Sequence, residues 1–146
     1  MTDAAELPFL LLRASSRLVD GIQERLARAG FDDVRPSHGF AFTVISRGGA
    51  TAGSLAEHLG VTKQAAAQMV QELERKGYVE RAPHPHDSRA KVVVLTRRGR
   101  ACTRAAERCA AETLQPWLDD LGPGGTAALV RALAGFADDG PLRPTW

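Results

Sequence analysis

A chain of 146 residues fits one domain of ordinary size and is long enough to bury a core without disulfides or metals. Its apolar share of 44% and charged share of 25% are globular values, which excludes wholesale disorder. No apolar run is long enough to cross a bilayer. The longest near the start, Leu10-Leu11-Leu12, is cut by Arg13. Glu6 precedes that run and no small-residue cleavage site follows it, so no signal peptide is expected. Two cysteines make no disulfide framework, and a reducing cytoplasm is the expected location.

The net charge of +2 hides a polarity along the chain. Residues 75–108 hold ten Lys/Arg against Glu80, Asp87 and Glu107, leaving the remainder net acidic. Such a segment suits an anionic partner or a solvated basic helix face, and charge alone does not choose.

Apolar residues at Leu7, Leu11, Ala14, Leu18, Ile22 and Leu26 predict an amphipathic helix over 5–29, ended by Gly30. Arg35-Pro36 marks a break. Phe40, Ala41, Val44 and Ile45 then predict a short buried helix, closed by Arg47-Gly48-Gly49. Thr51 is positioned to cap a helix carrying Leu55 and Leu59, which Gly60 stops. Thr62 caps the next, from Lys63 to Lys76, with Gly77 at its end. Ala66, Met69, Val70 and Leu73 face inward on it, and Gln64, Ala67, Gln68, Gln71 and Arg75 face away.

Tyr78 to Arg81 can extend as a strand, and Lys91 to Leu95 is the strongest β-branched run of the chain. Pro83, Pro85, Asp87 and Ser88 lie between them, so the pair reads as a hairpin with a positively charged tip. Thr96 then caps a long helix from Arg97 towards Leu121, with Pro116 kinking or interrupting it. Gly122-Pro123-Gly124-Gly125 predicts a turn, residues 126–137 a last helix, and Pro141 to Trp146 a loosely held tail.

Two helices joined by a tight turn pack at a large angle, and the second presents its outer face. Such a helix fits the major groove, where amide side chains read base edges bidentately. Gln64 and Gln68 lie four apart on that face, with Ala65 between them. Thr62 and Lys63 at the helix start can hold phosphate through hydroxyl, N–H and charge. The same glutamines also serve as plain helix-surface filler.

In its residues this segment resembles the multiple-antibiotic-resistance regulator (MarR) family of bacterial transcription factors. The resemblance is carried by Leu55 to Gln64 (LAEHLGVTKQ), Leu73 to Arg81 (LERKGYVER), the wing motif Asp87-Ser88-Arg89 and Leu95 to Arg100 (LTRRGR). It covers about residues 36–101 in detail. It implies a homodimer built from the first helix and the last two, with Arg89 entering the minor groove beside Lys91, and Asp87 orienting it. It also implies a small-molecule pocket between the dimer and DNA-binding regions. His84 departs from the pattern, standing where many relatives carry an acidic residue before the proline.

His38 is a candidate for lining such a pocket with Phe42, and equally a hydrogen-bonded structural histidine. His84 and His86 flank Pro85, but two histidines on a proline loop make no complete metal ligand set. Cys102 and Cys109, seven apart on one helix, are separated by roughly 10 Å of rise and cannot pair within it. Buried packing is their favoured role. Redox-sensing relatives usually carry a reactive cysteine in the first helix, and this chain has none there.

The fold expected is mainly α with a small β-hairpin, a winged helix-turn-helix (35–96) flanked by helical dimerisation segments (1–34 and 97–146). The function expected is a cytoplasmic, homodimeric regulator of transcription, a repressor released by an aromatic or phenolic ligand. It binds a near-palindromic site on double-stranded DNA and needs no cofactor, metal or membrane. A winged helix used for protein–protein contact is the main alternative. A small enzyme is the lesser one, since the chain has no Gly-rich phosphate loop, nucleophile elbow or carboxylate pair with a base.

Overall fold

The structure, a computed structural model, describes residues 4–140, so the expected loose tail lies outside the described residues. Five helices and one hairpin follow in order: α1 (Leu7–Arg28), α2 (Pro36–Ile45), α3 (Ala52–Leu59), α4 (Lys63–Arg75), β1 (Val79–Pro83), β2 (Lys91–Leu95) and α5 (Arg97–Phe136). The mainly helical, winged fold class holds. Among the described residues no helix is long and apolar enough to cross a membrane.

Helix starts are set by side chains that accept the orphan N–H groups of the first turn. Thr51 Oγ1 accepts from the Ser54 N–H at 3.0 Å, and Ser54 Oγ accepts in return from the Thr51 N–H at 3.1 Å. Thr62 and Thr96 cap α4 and α5 alone, through the N–H groups of Ala65 and Gly99. At α2 the capping role falls to a histidine. His38 Nδ1 accepts from the Arg35 N–H at 3.1 Å, while Pro36 fills the first turn, where a missing donor costs nothing. That pairing starts α2 four residues before the apolar cluster that predicted it.

The stop after α4 is a left-handed glycine. Gly77 has φ +80°, the Gly77 N–H donates to Glu74 O at 3.0 Å, and the Tyr78 N–H reaches back to Leu73 O at 2.9 Å. This double closure needs positive φ, which a side chain resists. It turns the chain straight into the hairpin.

The hairpin pairs Val79 with Leu95 and Pro83 with Lys91, so β1 runs two residues further than expected and begins one later. A further pairing was not legible in the sequence. Ala50 exchanges both backbone hydrogen bonds with Val93, at 3.0 and 2.8 Å, stitching the α2–α3 connection to β2. The core gathers Leu26, Phe42, Ile45, Leu55, Leu73, Tyr78 and Cys102, all buried. Cys109 is buried too, and burial pushes both thiols up, Cys102 to about 11. Neither is a thiolate at neutral pH, as packing roles require.

The C-terminal expectations need two corrections. Pro116 does not interrupt α5; the only non-helical backbone within Arg97–Phe136 is at Gly122 (φ 67°, ψ 170°). The expected four-residue turn is therefore one residue. Pro123 follows it, and a proline opens a helical turn as readily as it breaks one. Gly124 and Gly125, read as turn residues, lie inside the resumed helix.

Candidate nucleic-acid interface

The outer face of α4 stands free. Ala66, Val70 and Leu73 are fully buried and Met69 packs against the core, whereas Thr62, Lys63, Gln64, Ala65, Gln68 and Gln71 are exposed. A helix has room for one anchored stripe, so fixing those apolar positions forces the amides outward. The Thr62 hydroxyl caps the helix, and the methylene stem of Lys63 lies over Gly53 of α3, where an added Cβ would stand 3.5 Å from Lys63 Cε. The amides and the ammonium thus occupy one continuous surface.

The wing tip is ordered by its own polar contacts. Asp87 Oδ1 accepts from the Arg89 N–H at 3.0 Å, an Asx-type turn that sets the direction in which residue 89 leaves the loop. Arg89 and Lys91 are exposed, and among the described residues neither has a carboxylate partner. His84 Nδ1 accepts from the His86 N–H at 3.0 Å, and the two rings lie 6.1 Å apart. Among the described residues no group of three His, Cys, Asp or Glu could hold a metal.

Sequence reasoning missed the polar frame behind this surface. Glu72 on α4 takes Arg35 at 2.6 Å and Lys76 at 3.0 Å, and Lys76 also donates to the Asp33 carbonyl at 2.7 Å. The Lys76 contact, then Arg35, hold the Glu72 carboxyl below its usual range against burial. Arg81 of β1 meets Glu74 of α4 at 3.2 Å, tying wing to recognition helix. The buried Tyr78 donates its hydroxyl to Asp33 at 2.5 Å and accepts from Arg98 at 3.0 Å, with the Arg98 guanidinium 4.6 Å over the Tyr78 ring. That hydrogen bond lowers the Asp33 pKa, and burial with the same contact raises the tyrosine's. The Glu72–Lys76 spacing was visible as an i,i+4 pair, but a partner 45 residues away leaves no local signal.

His38 and Phe42 belong to this frame and the core, which corrects their assignment to a ligand pocket. His38 is fully buried. Its Nδ1 is occupied by Arg35, so Nε2 carries the proton and faces Glu72 Oε2 at 3.5 Å. Phe42 is buried with its ring 5.5 Å from Tyr78. The larger clefts lie elsewhere, one of about 630 Å³ between α1 and α5 lined by Leu11, Leu18, Leu114, Trp117 and Leu133.

Burial, then the Arg35 charge, lower the His38 pKa, so the folded protein holds this ring neutral. The unfolded chain takes up a proton near its ordinary value of about 6.5 while the native state does not. Stability should therefore fall as pH drops below about 6.5, by at most about 1.4 kcal/mol per pH unit. Urea unfolding at pH 7.5 and 5.5 should show this loss, and His38→Gln should flatten it. An identical pH response in the variant would remove His38 as the cause.

Residues 32–90 match the MarR family. No curated protein sequence matches the chain. Among solved structures, RV1404 from Mycobacterium tuberculosis is 26% identical with a TM-score of 0.74, over 93% of each chain. FabT from Streptococcus pneumoniae, solved in complex with DNA, is 22% identical with a TM-score of 0.79, over 92% of this chain and 94% of that one. CouR from Rhodococcus jostii RHA1, bound to p-coumaroyl-CoA, is 20% identical with a TM-score of 0.72, over 92% and 93%.

Proposed function

Because this chain belongs to the MarR family of DNA-binding transcriptional regulators, not enzymes, we propose that it acts as a homodimeric repressor released by a small ligand. The observation that carries the reading is the pairing of two free surfaces. An amide-rich face of α4 adjoins a wing whose Arg89 and Lys91 are exposed and uncommitted. In this reading residues 35–96 contact DNA, and 1–34 with 97–146 join the two copies in the cytoplasm. Leu7, Phe9, Leu10, Trp117, Val130 and Phe136 are exposed on those outer helices, an apolar surface that a second copy covers. The printed states of FabT, with DNA, and of CouR, with an aromatic acyl thioester, support a DNA partner and an aromatic effector class.

Gln64 and Gln68 of each copy then enter successive major grooves of a near-palindromic site, with Thr62, Lys63 and Ala65 closing on backbone and base edges. Arg89 reaches the flanking minor groove. Gln68→Ala should cost roughly 1–3 kcal/mol on the preferred site and relax base choice at one position per half-site. Arg89→Ala should weaken cognate and random DNA alike, and lower the salt slope by about two for a dimer if each arginine meets phosphate. Selection from genomic fragments followed by titration at several salt concentrations checks both. Equal losses on cognate and random DNA for Gln68→Ala would mean that α4 does not read sequence. Binding to neither would favour a protein–protein role for the winged helix.

A further inference from the structure

We propose that the groove at the base of the wing binds a small amphipathic anion, an aromatic ring bearing one carboxylate, with its acid group held by Arg100 and Arg104. This deepens the ligand-release reading above and rests on it. The groove, of about 430 Å³, lies where the end of α2, β2 and the second turn of α5 meet. Ile45 and Leu95 are buried and Val94 is half-buried, and they give it an apolar floor. Thr103 adds a hydroxyl at the α5 wall.

The charge at its rim is one-sided. Arg100 donates to the Leu95 carbonyl at 2.8 Å, which holds its guanidinium over the groove. Arg104, one turn further along α5, is exposed, and among the described residues it has no carboxylate partner. No residue lining the groove is acidic, and Glu107 is the sole acid from 97 to 111. Two guanidinium groups so placed offer paired N–H donors to a planar carboxylate. A bare inorganic anion leaves the apolar floor unused, and a neutral ring leaves the donors unpaired. An aromatic carboxylate uses both.

The position gives such a ligand leverage. Its walls belong to α2 and β2, which the Ala50–Val93 pair joins, and to α5, which leads into the outer helices. An occupant that prefers one spacing of these walls biases the wing relative to α5, and only that difference in affinity can release DNA.

Fluorescence titration of the full chain without DNA, using 2-naphthoate and its neutral analogue 2-naphthamide, tests the groove. Naphthoate should bind roughly tenfold tighter than the amide, the scale of one charge-assisted hydrogen bond. Arg104→Ala should erase that difference without changing the melting temperature, and Arg104→Lys should restore part of it. Equal binding of the two compounds, unchanged naphthoate affinity in Arg104→Ala, or no binding at millimolar concentration would overturn the proposal. The effector reading separates in a second titration with DNA present. Binding through Arg104 that leaves DNA held supports the groove and removes ligand release. DNA release by naphthoate that persists in Arg104→Ala removes the groove and keeps ligand release.

Discussion

Gly99→Ala should destabilise the protein by about 3 kcal/mol, a large part of the 5–15 kcal/mol typical of a domain. In a helix the same change ordinarily stabilises by roughly 0.5–1 kcal/mol, because alanine loses less backbone entropy. The sign reverses here because a Cβ at residue 99 would sit 2.1 Å from the Tyr78 carbonyl oxygen and 3.1 Å from Leu95 Cδ2. The obstacle is backbone, so no rotamer change relieves it. That carbonyl is also committed, accepting the Thr96 N–H at 3.0 Å, while Thr96 Oγ1 donates to Gly77 O at 2.6 Å. The first turn of α5 is therefore pressed onto the start of the hairpin. Urea unfolding should show a lower midpoint with unchanged slope. A variant as stable as the parent would mean that α5 can shift outward at little cost.

The second large effect concerns the outer helices. Leu11→Asp combined with Trp117→Asp should yield a monomer whose affinity for its DNA site falls by 10²–10⁴-fold. Two linked half-site readers gain that factor over one through effective concentration. Both residues line the apolar cleft between α1 and α5 and are 39% and 47% exposed, so the substitutions leave the protomer core intact. Sedimentation at low micromolar concentration, together with DNA titration, checks the result. A variant that stays dimeric would place the interface elsewhere, and a monomer with full affinity would detach DNA binding from dimerisation.

The two effects draw on different kinds of information. The outer stripe of α1 was readable from spacing alone, since Leu7, Leu11, Leu18 and Ile22 repeat at helical intervals. Exposure of Leu7 and Leu11, against full burial of Leu26, then divides that stripe into an open end and a core end. The demand on residue 99 was invisible beforehand. A glycine in a helix start reads as a weak position until the Tyr78 carbonyl is found against it.

Local rules therefore settled the elements of this protein. Threonine caps, glycine stops and apolar periodicity placed α3, α4 and β2 within a residue of where they lie, and the free amides of α4 followed from its buried stripe. These signals act over a few residues, within reach of one hydrogen bond or one turn of helix. Composition could not show that Gly122 alone breaks α5, because proline and glycine mark turns and helix starts alike. Nor could spacing reveal that Asp33, Tyr78 and Arg98 meet, that Ala50 pairs with Val93, or that His38 caps a helix inside the core. Each of the first two joins residues tens of positions apart, and the burial of His38 depends on every element packed around it. Chain-local energetics specify a helix, and only closure of the whole core specifies what lies beside it.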